Sequence, residues 1–177
     1  TTSFGNHNLT AMVGAEHYNI NNTSFQIVGT NAPTDDIPTA NASTAFAAGS
    51  NFTSKSQSRI ISGFGRFNYN FKERYLLTLV FRQDGVSNLS EANRWGFFPG
   101  MSAGWMLDQE PFFQNSFLSK YISMLKPRIS YGLNGNVSGI GNYEVQGVYG
   151  SQGNYNGLGG FLNTGVVNNN LVWERSK

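Results

Sequence analysis

Any chemistry in this sequence has to start from carboxylates and histidines, because with no cysteine it has no thiolate nucleophile, disulfide or sulfur metal ligand. Two acidic pairs stand out, Asp35-Asp36 and Asp108 with Glu110. Glycoside hydrolysis needs two carboxyl groups flanking one bond at about 5 to 9.5 Å. Closeness in sequence does not supply that arrangement, so both pairs read as solvated loop charges. His7 and His17 lack ligand spacing, and no G-x-S-x-G, HExxH or P-loop signature occurs. Gly157-Leu158-Gly159-Gly160 has no strand-turn-helix setting and reads as flexible loop. The expectation is a protein that is not an enzyme and holds no metal or cofactor. Arg82 and Asp84, two apart, share one face of any strand that contains them.

The elements that position these residues must be built from an unusual composition. Charged residues make up 12% of the 177, against roughly 25% for an average globular domain, while aromatics reach 14% and glycines number 21. The net charge of +2 is spread without clusters, so no footprint for a phosphate backbone can be drawn and nucleic acid is excluded as a partner. The richest apolar run, Tyr75 to Phe81, is far short of the roughly 18 to 20 residues of a spanning helix. The start, Thr1-Thr2-Ser3-Phe4-Gly5, lacks a basic region and an apolar core, so a signal peptide is expected to have been removed or to lie upstream.

Period-2 alternation recurs instead, in segments of about ten residues, the length a tilted strand needs to cross a bilayer. Strands are expected near 7–18, 59–70, 75–84, 95–107 and 124–134, with a sixth at 171–177. Tyr75, Leu77, Leu79 and Phe81 fall opposite Leu76, Thr78, Val80, Arg82 and Asp84; Leu125, Pro127, Ile129 and Tyr131 fall opposite Lys126, Arg128, Ser130 and Gly132. Glu16, Arg66, Arg82, Asp84, Lys126 and Arg128 all lie on one side, leaving the other free of charge. A charge-free band facing lipid, with a Gly-, Ser-, Thr- and Asn-rich side facing water, fits a membrane barrel better than a soluble sandwich. The connections agree with this: 71–74 and 108–123 read as periplasmic turns, the second as a short amphipathic turn under the rim, and 19–58, 85–94 and 135–170 read as extracellular loops. Tyr69, Phe71, Tyr75 and Trp105 are expected to girdle the periplasmic interface, and Trp95 and Phe97 the outer one.

The sequence also contains a recognisable set of motifs. Gly65-Arg66-Phe67-Asn68-Tyr69-Asn70-Phe71-Lys72-Glu73-Arg74-Tyr75-Leu76-Leu77 and then Phe81-Arg82-Gln83-Asp84-Gly85-Val86-Ser87 resemble a strand-hairpin-strand block of SusC/RagA-like, TonB-dependent outer-membrane transporters. In the family's order follow Asn93-Arg94-Trp95-Gly96-Phe97-Phe98-Pro99, Ser102-Ala103-Gly104-Trp105, Leu125-Lys126-Pro127-Arg128-Ile129-Ser130-Tyr131-Gly132 and Ile140-Gly141-Asn142-Tyr143. His7-Asn8-Leu9-Thr10 and Leu171-Val172-Trp173-Glu174 flank the set.

The resemblance implies an all-β segment, about six strands of a 22-stranded transmembrane barrel in the outer membrane. Such a barrel imports oligosaccharides or peptides with a SusD-like lipoprotein as lid, and the TonB complex acts through a plug domain. Plug and closing strands are expected in sequence outside these residues. Arg82 and Asp84 read first as a wall salt bridge and second as contacts for substrate or plug; Arg94, Tyr143, Tyr149 and Tyr155 complete the candidate substrate contacts in lumen or loops. The rival readings are a passive binding or adhesion barrel and a soluble lectin-like sandwich. The barrel reading predicts that the expressed chain aggregates unless detergent is present; a detergent-free, glycan-binding monomer in gel filtration would favour the sandwich.

Overall fold

The computed structural model describes every residue except Asp35, Pro38, Ala48 and Gly49, with the backbone alone for Ser151, Gln152, Gly153 and Tyr155. Its strands are β1 (Thr2–Phe4), β2 (His7–Gln26), β3 (Gly29–Thr30), β4 (Ala45–Phe46), β5 (Phe52–Phe71), β6 (Tyr75–Val86), β7 (Trp95–Trp105), β8 (Arg128–Gly132), β9 (Asn134–Asn136), β10 (Tyr149–Tyr155), β11 (Leu158–Asn163) and β12 (Glu174–Ser176). One helical turn, α1 (Pro111–Gln114), lies in the β7–β8 connection. The main sheet has the order β1-β2-β5-β6-β7-β8. The chain forms two units, Thr1–Tyr18 with Ile60–Lys177, and Asn19–Arg59.

Within the first unit the register carries the two-faced pattern from strand to strand. Tyr69 faces Leu77, Leu77 faces Ala103 and Ala103 faces Ile129; the next row is Phe67, Leu79, Met101 and Tyr131. Rows of the opposite face run Asn68, Thr78, Ser102 and Ser130, and Phe64, Arg82 and Phe98. A slip by one residue would reverse every side chain, so the aligned apolar rows fix the pairing. We call the charge-free side the outer face and the other the inner face. On the outer face Ile129, Met101 and Phe81 stay open rather than packing beneath a second layer.

The β5–β6 hairpin closes with Arg74 N–H donating to Phe71 O at 3.1 Å, across Lys72 and Glu73 at φ 54° and 57°. This primed geometry matches the twist of the flanking strands, and holding two non-glycine residues there costs about 1 to 2 kcal/mol each. We call this the hairpin end of the sheet, and the opposite one the loop end.

At the loop end the inner face is apolar, contrary to the polar character expected along all of it. Val86, Leu89, Phe98 and Trp173 form a buried core joined by Ile60, Val137, Ile140 and Leu171. Phe98 meets Trp173 edge to face at 5.1 Å, and its ring occupies the space that a Cβ on Gly96 or Gly135 would need. Trp173 Nε1 donates to Arg94 O at 3.1 Å, and Asn88, Ser90 and Asn93 bond to the carbonyls of Ile140 and Asn169. Three connecting segments are thereby knitted over the strand ends.

Several elements run differently from the alternation pattern. β2 and β5 are 20 residues each, so both continue into the stretch read as loop 19–58. Polar-rich ends can extend as a two-stranded ladder once neither face must meet lipid or core. In the second unit itself, Gln57 Nε2 donates to Asn19 Oδ1 at 3.1 Å and β3 pairs with β4. The expected strand at 124–134 narrows to β8, and the one at 171–177 to β12, which pairs with β9. The stretch 135–170 contains the β10–β11 hairpin, turning at Asn156-Gly157 (φ 50° and 79°), so the Gly157 segment is a hairpin turn rather than flexible loop.

Replacing Phe98 with Ala empties the slot between Gly96 and Gly135 and should cost about 3 to 5 kcal/mol. In the full-length protein this should show as lost hydrogen-exchange protection in residues 86–94, while Met101→Ala on the outer face leaves those amides protected.

Candidate functional site

The inner face carries one compact polar cluster, and three strands build it. β6 supplies Arg82 and Asp84, two apart and therefore on one side; β5 supplies Ser62 and Phe64 opposite them; β2 supplies Glu16. Arg82 Nε donates to Asp84 Oδ2 at 2.9 Å and lies 2.8 Å from Oδ1. Its Nη2 donates to Ser62 Oγ at 3.0 Å and to Glu16 Oε2 at 3.2 Å. The guanidinium also lies 5.8 Å from the centre of the Phe64 ring. The Arg82 and Glu16 side chains remain 40% and 52% exposed, so their ion pair is solvent-screened and contributes at most about 1 kcal/mol, while the Asp84 carboxylate is largely buried. The cluster can orient anions or amides, but it offers no nucleophile with a base.

A second polar centre sits at the hairpin end. Glu110, expected as a solvated loop charge, is instead buried, because the β7–β8 connection folds back against the girdle rings. It accepts from Tyr75 Oη at 2.7 Å, from Trp105 Nε1 at 3.1 Å and from Arg74 Nη1 at 3.3 Å. The Tyr75 hydroxyl, the indole N–H and the Arg74 charge hold its carboxyl below the ordinary range against the opposing effect of burial. Rings continue the row: Tyr75 stacks on Trp105 at 6.3 Å, Phe71 stacks on Tyr75 at 6.1 Å, and His7, whose Nδ1 lies 2.7 Å from Tyr69 Oη, meets Phe71 at 4.7 Å with the rings tilted by 35°.

Of the candidate substrate contacts, only Arg82 and Asp84 meet in this cluster. Arg94 lies just before β7 and its carbonyl receives the indole of Trp173 and the N–H of Val86. Tyr143 has φ 68° at the head of a 3-10 turn, and Tyr149 is exposed on β10. The side chain of Tyr155 and all of Asp35 lie outside the described residues. Glu16 and Ser62 had not been singled out as binding residues; their even spacing on the charged face was the available signal.

A sheet of this register, whose outer face is charge-free over 61–71, 75–85, 95–105 and 129–131 and whose inner face bears the ions, is a stretch of transmembrane β-barrel wall. Comparison with known proteins agrees. No family model matches the chain. Two TonB-dependent receptors of Formosa agariphila, P26 and P3, are 34% identical over 96% of the chain and 31% identical over 99% of it. The TonB-dependent receptor SusC of Bacteroides thetaiotaomicron is 41% identical over 76 residues, 43% of the chain. The chain spans 17% of the length of P26 and of P3, and 7% of SusC. Among solved structures, the RagAB peptide transporter matches 96% of this chain, 18% of its own, with a TM-score of 0.74 at 24% identity. The RagAB peptide importer in its closed-closed state matches 99%, 19% of its own chain, with a TM-score of 0.77 at 22% identity. These two likenesses establish the fold. The chain belongs to the SusC/RagA-like TonB-dependent receptors, as part of their barrel.

The depressed carboxyl of Glu110 gives a signed expectation. Its contribution to stability is complete above the ordinary carboxylate range and is lost as pH falls through the lower, folded-state value. Glu110→Gln should flatten that acid limb in a pH series of thermal unfolding on the full-length protein in detergent, whereas an unchanged limb would assign it to other carboxylates.

Proposed function

We propose that the protein containing this chain imports large nutrients, oligosaccharides or peptides, across the outer membrane, and that the chain supplies barrel wall and the loops above it. The charge-free register of the outer face carries this reading. From Trp95 to Trp105 the band rises about 33 Å along the strand, or about 25 Å along the membrane normal at a tilt near 40°, the height of the apolar belt of such barrels. The girdle at Phe71, Tyr75 and Trp105 then marks the periplasmic interface, and Trp95 with Phe97 the outer one.

On this reading 71–74 and 108–123 face the periplasm and the long segments face outside. The Glu16–Arg82–Asp84 cluster lines the passage, and Arg94, Tyr143, Tyr149 and Tyr155 stand on the cargo side. Exposed tyrosines such as Tyr149 suit stacking on sugar rings or apolar peptide side chains. The whole protein works with a SusD-like lipoprotein, and TonB drives the transport step through a plug. The family likeness to SusC and the fold likeness to RagAB support this assignment, and nothing in the inner-face cluster supports catalysis.

Two neighbouring substitutions test it. Met101→Arg on the outer face should lower the stability of the full-length barrel in bilayers by about 2 to 4 kcal/mol, whereas Ser102→Arg, one residue on, should be far milder. Equal effects in urea unfolding from vesicles would sink the lipid-facing assignment. Cells without TonB should lose uptake while keeping surface binding; persistence of uptake would favour a passive barrel.

A further inference from the structure

The β7–β8 connection has a feature that barrel-wall duty does not require. Phe112, Phe117, Tyr121 and Met124 expose between 60% and 73% of their surface, in a segment that a periplasmic turn would ordinarily fill with polar residues. Phe112 is not loose: its ring lies 6.3 Å from that of Trp105, and Trp105 belongs to the outer face by register with Tyr75. The segment therefore sits against the outer side of the girdle. Its ends are clamped, with Leu107 N–H donating to Leu125 O at 2.9 Å and Leu125 N–H to Asp108 Oδ1 at 3.2 Å, while Glu110 near its start ties it to Tyr75, Trp105 and Arg74. Beside it lies an apolar groove of about 500 Å³, lined by Tyr75, Ala103, Trp105, Pro127 and Ile129 among others. The groove exists because Ala103 is small between two large rings and Ile129.

We propose that residues 107–125 form an interfacial foot, whose exposed rings rest in the headgroup–acyl boundary of the nearer leaflet, and that the adjoining groove takes one phospholipid acyl chain. The inference rests on the lipid-facing reading of the outer face. Continuity of groove and foot with that face makes phospholipid the occupant, and Lys120 in the same turn suits an anionic headgroup. An amphipathic element of this kind binds in the interface plane, inserting about 5 to 10 Å. The foot would hold the barrel at a fixed depth.

The test uses the full-length protein with other cysteines removed, carrying Phe117→Cys or Met101→Cys with an environment-sensitive fluorophore. It is reconstituted in phosphatidylethanolamine with a minority of phosphatidylglycerol. Nitroxide near the lipid headgroup should quench the Phe117 label about twofold more than nitroxide at the acyl end or a water-soluble quencher, and the Met101 label should respond most to the acyl-end probe. A Phe117 label reached only from water, or shielded from all three by the rest of the polypeptide or a second copy, overturns the foot while a quenched Met101 label leaves the barrel reading standing. An unquenched Met101 label overturns both. Ala103→Phe should remove one retained phospholipid from native mass spectra, and an unchanged count overturns the groove.

Discussion

Backbone amides inside hydrocarbon have no water to fall back on, so each must bond to a neighbouring strand, and this obligation fixes the rest of the wall. Once β5, β6, β7 and β8 are paired, register decides which residues share the outer face. The rows through Leu77 and Leu79 are apolar from β5 to β8, and no position in them carries charge. A one-residue slip would carry Arg66, Arg82 and Asp84 into the apolar band. That penalty, at about 2 to 4 kcal/mol for a basic group near mid-bilayer, exceeds the benefit of any single cross-strand pair. On the proposed reading it also contributes to the sparse charge of the sequence, since the outer side of 61–71, 75–85 and 95–105 is closed to Lys, Arg, Asp and Glu.

The two ends of the sheet, released from that constraint, close by different chemistry. At the hairpin end, rings with polar atoms surround a carboxylate: Glu110 receives Tyr75 and Trp105, which can then keep their ring bodies on the outer face. Without it, the hydroxyl and indole would need water or headgroup partners to stay at that depth. At the loop end the packing is apolar and on the inner side, where Val86, Leu89, Phe98 and Trp173 exclude water from the strand termini. The difference follows from what each segment must do. A turn pressed against the girdle needs a polar anchor, whereas long connections returning over the strand ends need a core of their own.

How much of this was legible in the sequence depends on how local each signal is. The outer rows were, because alternation is a property of one strand, and the motif order from Gly65 to Tyr143 indicated the family that the relatives establish. Glu110 was not: its burial depends on a fold-back that brings it to Tyr75, 35 positions away. Phe98 was misread as part of a polar face, since its slot is made by Gly96 beside it and Gly135 on another element. The β10–β11 hairpin was missed although Asn156-Gly157 is the usual two-residue signal for a primed turn; the glycines around it masked the strands. Of the candidate site, the Arg82–Asp84 pairing followed from spacing alone, while Glu16 and Ser62 required the order of β2, β5 and β6.

The contacts of Arg82 bear on where recognition would reside in the proposed importer. Its guanidinium is held by Asp84 along the strand, by Ser62 from the neighbouring β5 and by Glu16 from β2 beyond it, and lies over Phe64. These partners engage Nε and Nη2, so a cargo group would approach through Nη1 of the half-exposed side chain or by displacing one of them, and a displaced carboxylate would then need a partner of its own. For Glu16, 52% exposed, such exchange is close to neutral, whereas Asp84 is largely buried and would be costly to leave unpaired. In the proposed importer, tight selection would belong to side chains that still have surface to bury on the cargo side, and Tyr149 on the β10–β11 hairpin is one of them.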